Sequence, residues 1–209
     1  MKLVLAVAFS VLAGAASATT QYSDRTAFEA ATASLTTETF NGFTSDVSLA
    51  ATTFDVGDFS IATTLNNSIL KIDADGADSH SVNGSAFVRG VGLPGDMFTY
   101  IFDTAITAFG VDLFGFNDFE ERTRVVINGN TYTLPVVNGV VNSFFGFTSG
   151  TAFTSVSFNV IAGGEDGGFD NISYGAVAPV PVPAAGLLLL SGFGALGAIA
   201  RRRKSRAKG

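Results

Sequence analysis

The 209-residue chain contains no cysteine, no tryptophan and a single histidine, His80. Without a thiolate it has no cysteine nucleophile, no disulfide and no thiolate zinc site, and one imidazole does not build a multi-histidine metal centre. Charge is scarce as well: 14% of residues are charged while 47% are apolar, which excludes disorder by composition and leaves length for one domain. The charge that remains is divided by sign. All 18 acidic residues lie between Thr19 and Ala178, where the only basic ones are Arg25, Lys71, Arg89, Arg122 and Arg124, so this body carries a net charge of −13. Such a surface repels phosphate backbones. Nucleic acid is thereby disfavoured, and cations or neutral sugars are the easier partners.

Both ends read as addresses. Residues 1–18 combine Lys2, an apolar run from Leu3 to Ala13 and the small residues Ala16-Ser17-Ala18, the pattern of a secretory signal that signal peptidase removes after Ala18. An exported protein without disulfides must stand on core packing, helped at most by metal. At the other end, a linker over residues 176–183 runs into Val180-Pro181-Val182-Pro183-Ala184. An apolar stretch to Ala200 follows, then Arg201, Arg202, Arg203, Lys204, Arg206 and Lys208. The 17 residues from Ala184 to Ala200 would span ~26 Å as a helix, just enough for a ~30 Å hydrocarbon core. The basic flank, residues 201–209, stays on the cytoplasmic side and so holds the body outside. Pro181 and Pro183 keep the preceding segment extended and accessible, which suits a protease. Gly192, Gly194 and Gly197 thin one side of the helix. Physics alone leaves a plain single-pass anchor and a helix that docks on a membrane partner equally open.

The body, residues 19–175, changes to a period of two after a short opening helix in DRTAFEAATA, capped by Ser23 or Asp24. Alternation runs through Met97–Phe102, Ile106–Phe114 and Ser155–Val160. Asn128-Gly129 and Asn138-Gly139 have the composition of tight hairpins. Further strands are expected over 38–40, 59–63, 68–72, 85–89 and 169–174. About ten short strands with no long helical period predict an all-β, two-sheet β-sandwich of jelly-roll-like or other Greek-key type, its middle layer filled by many of the 20 phenylalanines.

The combination VPVPA, LLLLSGFGALGAIA and RRRK resembles the PEP-CTERM class of bacterial sorting signals in its VPLPA-like variant, over residues 180–209. Val182 stands where the PEP form carries Glu, which bears on the enzyme subtype. The resemblance implies cleavage near the prolines by an exosortase, an integral-membrane transpeptidase-like enzyme. Passage through the inner membrane and release to the cell surface or exopolysaccharide matrix would follow. The body motifs YSDRTAFEAAT, ETFNGF, ITAFGVDLFGF, FFGFTS and GGFDNISYG are similar to ectodomains found ahead of such tails. The last of them also resembles the final strand of jelly-roll carbohydrate-binding modules, in which a structural calcium often lies near the aspartate.

Among residues that could carry chemistry, Asp170 falls in phase with Ile172 and Tyr174, so its carboxylate starts on the core side and needs compensation. Calcium would supply it, and so would the amides of the glycine-rich turn. Asp73, Asp75 and Asp78 in DADGADSH offer a second carboxylate loop without EF-hand spacing, closer to a solvated acidic turn. Asn117, Asp118, Glu120 and Glu121 form a third acidic loop, a cation or sugar site if clustered on one edge and solubility residues if scattered. Enzymatic readings are weak. No carboxylate pair stands out for a glycosidase, and a Ser-His-Asp triad would have to use His80 with no G-x-S-x-G turn. The expectation is a non-enzymatic surface or matrix protein whose body binds glycan or packs structurally into the matrix, with structural calcium as its candidate cofactor. A permanently anchored binding module and a carbohydrate-active enzyme are the alternatives.

Overall fold

A computed structural model of the chain describes residues 19–49, 53–64 and 69–179. The signal region 1–18, the motif Val180–Ala184, the apolar stretch 184–200 and the basic residues Arg201–Lys204 lie outside the described residues. Among the described residues no helix is long and apolar enough to cross a membrane.

The elements are β1 (Thr20–Tyr22), α1 (Arg25–Ala30), β2 (Thr32–Glu38), β3 (Val47–Ser48), β4 (Phe54–Asp55), β5 (Phe59–Thr63) and β6 (Ile69–Asp73). They continue with β7 (Phe87–Gly92), β8 (Met97–Phe114), β9 (Thr123–Ile127), β10 (Asn130–Thr133), β11 (Asn142–Val160) and β12 (Glu165–Val177). The body is all-β, and among the described residues twelve strands join in one antiparallel hydrogen-bonded network. The main order is β10-β9-β11-β8-β12-β7-β6-β3, with β1 added to β11, β2 to β12, and β4 through β5 to β8.

Two separate sheets of short strands were expected, and the difference has a clear cause. Asp103-Thr104-Ala105 breaks the apolar alternation and the register with β11 is irregular there, yet the extended backbone continues, so the two stretches predicted over 97–102 and 106–114 are one strand of 18 residues. β11 is likewise 19 residues long. Each changes partners along its length. The first half of β8 pairs with β5, the second half with β12, and β11 pairs with β8 along both halves across irregular register between Thr148 and Ser155.

Both long strands also fold back over themselves. The rings of Tyr100 and Phe109 are 6.0 Å apart, whereas nine residues of straight strand would separate them by about 30 Å. Phe145 and Phe158 of β11 meet at 6.4 Å in the same way. The fold-back stacks Tyr100, Phe109, Phe158 and Phe169 into one contact network, all 1% exposed or less. Burial alternates along Phe98, Tyr100 and Phe102, as the period of two requires.

A second, smaller core lies on the other face of β8 and β11. There Phe28 of α1 packs on Ala108 and Phe144, flanked by Tyr22 and Leu35. Glycine makes this possible, because a Cβ at Gly110 would stand 2.7 Å from the Phe28 ring and one at Gly146 would stand 2.7 Å from that of Phe144. Asp24 caps α1, its Oδ1 accepting from the Ala27 amide at 2.8 Å. The helix is shorter than the DRTAFEAATA segment because β2 starts at Thr32 and pairs with the end of β12.

Of the two expected hairpins, Asn128-Gly129 closes β9 on β10 with φ of 52° and 73°, both left-handed, as a tight hairpin turn needs. Asn138-Gly139 closes none. Val137 makes only an isolated parallel bridge to Asp118, and the next strand begins at Asn142. The strand expected over 38–40 instead ends at Glu38, and Phe40 turns inward at a φ of 57°. β12 continues through Ala176 and Val177, inside the segment read as linker.

Two substitutions should separate the cores. Phe158→Ala empties the centre of the larger one and should lower unfolding free energy by about 3–5 kcal/mol in a urea titration. Gly110→Ala forces α1 off the sheet and should cost about 1–3 kcal/mol. A Gly110→Ala protein as stable as the parent would show that Phe28 does not bear on that glycine.

Candidate functional site

The small helix is bound to the sheet by one side chain. Arg25 Nε donates to Asp112 Oδ1 at 3.0 Å, Nη1 to Ser173 Oγ at 2.9 Å and Nη2 to the Asn171 carbonyl at 2.8 Å. Its guanidinium carbon also lies 4.9 Å from the centre of the Phe144 ring. Asp112 is reached because it shares the Ala108 and Gly110 face of β8, and Asn171 Nδ2 donates to its other oxygen at 2.9 Å. Asn171 has a φ of 50° where β12 breaks register between Asp170 and Ser173. That irregularity turns the amide side chain outward and leaves Asp170 inside.

Beside this clamp runs an open groove of about 440 Å³, lined among others by Asp24, Arg25, Asn83, Asp112, Asn142 and Asn171. Asp170, fully buried, lies behind it, opposite Asp112 in register. Its Oδ1 accepts from the Asn171 amide at 2.6 Å, and Ser85 Oγ stands 3.5 Å from Oδ2 and 2.5 Å from Asn83 Oδ1. Burial raises the Asp170 carboxyl to about 6, with the Asp112 charge adding to the effect and the Asn171, Ser85 and Asn83 contacts opposing it. Asp170 therefore meets the amide of its own neighbour in β12, not one from the glycine-rich turn, together with the loop carrying Asn83 and Ser85.

The DADGADSH carboxylates separate into two environments. Asp78 accepts from Arg89 Nη1 at 2.6 Å, and Arg89 also holds both oxygens of Asp166 at 3.0 and 2.7 Å. Burial works against ionisation of Asp78, but Arg89 and Lys71 keep it below the usual carboxylate range. Asp73 and Asp75 instead join Asp46, which lies 27 residues before Asp73; one oxygen from each falls within 4.8 Å of the others. Asp46 carried no signal in the sequence, since only the pairing of β3 with β6 brings it to this corner.

The third acidic loop is neither a cluster nor a scatter. Glu120 pairs with Arg122 at 2.9 Å and Glu121 with Arg124 at 2.8 Å. Buried Asn117 organises the loop, donating to the carbonyls of Thr123 and Leu134 and accepting from the amides of Arg122 and Thr123. Glu165, expected in a turn, opens β12 and is 2% exposed. Burial pushes its carboxyl up to about 7; the Asn117 amide opposes the shift and the Asp118 charge reinforces it. His80 does not build a relay. Ser79 Oγ at 3.0 Å and Asp166 at 3.6 Å both face the same ring nitrogen, Nδ1, whereas a triad needs one partner on each nitrogen.

No family model matches the chain, and no curated protein matches it. Among solved structures, the enzymatically active domain of bacteriophage CBA120 tailspike protein 4 is similar over 58% of this chain at 18% identity with a TM-score of 0.34. The matched part spans 20% of that chain.

The two raised carboxyls carry a pH dependence. Folded chains keep protons on Glu165 and Asp170 that unfolded chains release near 4.5 and 3.8, so their stabilising contribution is lost as pH rises through about 6 to 7. Melting temperature should fall from pH 4.5 to pH 7.5. Glu165→Gln should flatten that fall, its share being up to about 3 kcal/mol. An equally steep profile in Glu165→Gln would exclude Glu165 as the source.

Proposed function

We propose that the protein is an exported, non-enzymatic component of a bacterial cell surface or extracellular matrix, with a jelly-roll-like sandwich as its body and its last thirty residues removed in transit. The observation that carries this reading is the tail. VPVPA precedes 17 apolar or small residues, and six of the chain's 12 Lys and Arg follow within the last nine positions. The signal peptide is cut first by signal peptidase. The apolar stretch and its basic flank then hold the chain in the inner membrane, and the proline motif is presented to an exosortase-type transpeptidase.

The fold-back of β8 and β11 supports the sandwich, because it sets two halves of each strand face to face around the shared rings. For the ligand we favour a neutral glycan in the groove beside Arg25. Its volume of about 440 Å³ suits a few sugar units, and its amides and carboxylates suit hydroxyl groups. The acidic body disfavours anionic polymers. A permanent single-pass anchor is the second reading, favoured by an apolar length that just reaches across a bilayer.

Mass spectrometry of the extracellular form distinguishes the two. We expect a C-terminus near residues 180–184 and loss of release in a Pro181→Ala, Pro183→Ala double variant. An extracellular protein retaining Arg201–Lys204 would refute processing, and recovery of all the protein in the membrane pellet would favour the anchor. For the groove, Asn142→Trp should reduce retention on a glycan array at least about tenfold with melting temperature unchanged. Undiminished retention would remove the groove from the proposal.

A further inference from the structure

Asp73 ends β6 with its side chain 4% exposed. Its Oδ2 accepts from Lys71 Nζ at 2.8 Å, but its Oδ1 is buried without any hydrogen-bond partner. An orphaned carboxylate oxygen in a protein interior is costly and calls for a positive partner. Lys71 does not meet that need, because the same ammonium is already shared with Asp46 Oδ2 at 3.2 Å and Asp78 Oδ2 at 3.3 Å. Four carboxylates, those of Asp46, Asp73, Asp75 and Asp78, thus surround this corner, and among the described residues Lys71 and Arg89 answer them in direct ion pairs.

We infer that Asp46, Asp73 and Asp75 hold a calcium ion. Two oxygens on one calcium at ~2.3–2.6 Å each are separated by at most about 5 Å, and the three carboxylates here each offer an oxygen within 4.8 Å of the others. The Asp73 oxygen that lacks a partner is free to serve as a ligand. Asp46 Oδ1 accepts from the Ala74 amide, and Asp75 Oδ1 from that of Ala77, which orients both carboxylates. Calcium fits better than magnesium because an irregular corner with three carboxylates tolerates six to eight oxygen ligands, backbone and water included, without octahedral geometry.

The site has a structural consequence. It ties β3, the two-residue strand at the end of the main order, to β6 and to the turn after it. That turn packs tightly on the next one, since a Cβ at Gly76 would lie 2.4 Å from the Ser85 carbonyl oxygen. Ser85 and Asn83 in turn reach Asp170 and the groove. A cation at Asp46, Asp73 and Asp75 therefore braces the loop that forms one groove wall.

The test uses the whole secreted protein after chelator treatment, with calcium chloride titrated by calorimetry and terbium luminescence as a second readout. One site is expected, with a dissociation constant in the range of about 10⁻⁶ to 10⁻³ M, and calcium should raise the melting temperature. Asp75→Asn retains the bond to the Ala77 amide but removes a charge, so it should weaken binding at least about tenfold and abolish the thermal shift. Glu120→Gln, outside the cluster, should leave both unchanged. Absence of heat and of thermal shift at about 10 mM calcium, or wild-type binding by Asp75→Asn, would overturn the assignment. None of these readouts uses a glycan, so failure of the groove proposal and failure of the calcium site are told apart.

Discussion

The rest of the molecule depends on the sharp return of β8 and β11 over themselves. A chain without disulfides needs a core that closes from residues far apart in sequence, and here two long strands close it by presenting both of their halves to the same ring network. Tyr100, Phe109, Phe158 and Phe169 lie within about 5 to 6 Å of one another through four of their mutual contacts. Each ring of this kind removes on the order of 150–250 Å² from water. Pairing partners are exchanged along both strands, so their hydrogen bonds belong to one continuous network.

The outer face of the same strands serves a different purpose. Small residues at Ala108, Gly110 and Gly146 let Phe28 and Phe144 sit flat, and the strand face that is apolar there becomes polar two residues later at Asp112. Arg25 converts that change into a fixed helix position, and the irregular register of β12 at Asn171 supplies the third member of the clamp. The groove is thus a by-product of docking a six-residue helix on a bulged strand, with its polar groups already held in place. Preorganised groups of this kind lose little freedom when a ligand arrives.

Charge in the body is arranged in local circuits. Lys71, Arg89, Arg122 and Arg124 each stand among two or more carboxylates or against one that is close by, which spreads few cations over many anions. Where burial outweighs such a cation, as at Glu165, which Arg122 approaches at 4.0 Å, or where no ion pair with a cation is present among the described residues, as at Asp170, proton affinity rises. At Asp73 the buried oxygen keeps no partner at all. The acidic excess is therefore unevenly compensated, and the uncompensated positions mark where a proton or a cation has something to gain.

Alternation of phenylalanine, tyrosine and valine with polar residues was enough to identify an all-β body and the strand stretches around Met97–Phe114 and Ser155–Val160, while turn and capping signals gave the Asn128-Gly129 hairpin and a short helix capped by Ser23 or Asp24, of which Asp24 is the cap. These features are local, set by side-chain period and by backbone preference at two or three neighbouring residues. The tail motif, likewise, is a property of the sequence alone. What neighbours in the chain do not encode is which distant residues share a corner. The continuity of β8 through Asp103-Thr104-Ala105, the meeting of Arg25 with Asp112 and Asn171, and the arrival of Asp46 beside Asp73 and Asp75 all follow from pairings between strands far apart in sequence. Those pairings are decided by how the whole sheet bends to bury its rings, and that is a property only the folded chain possesses.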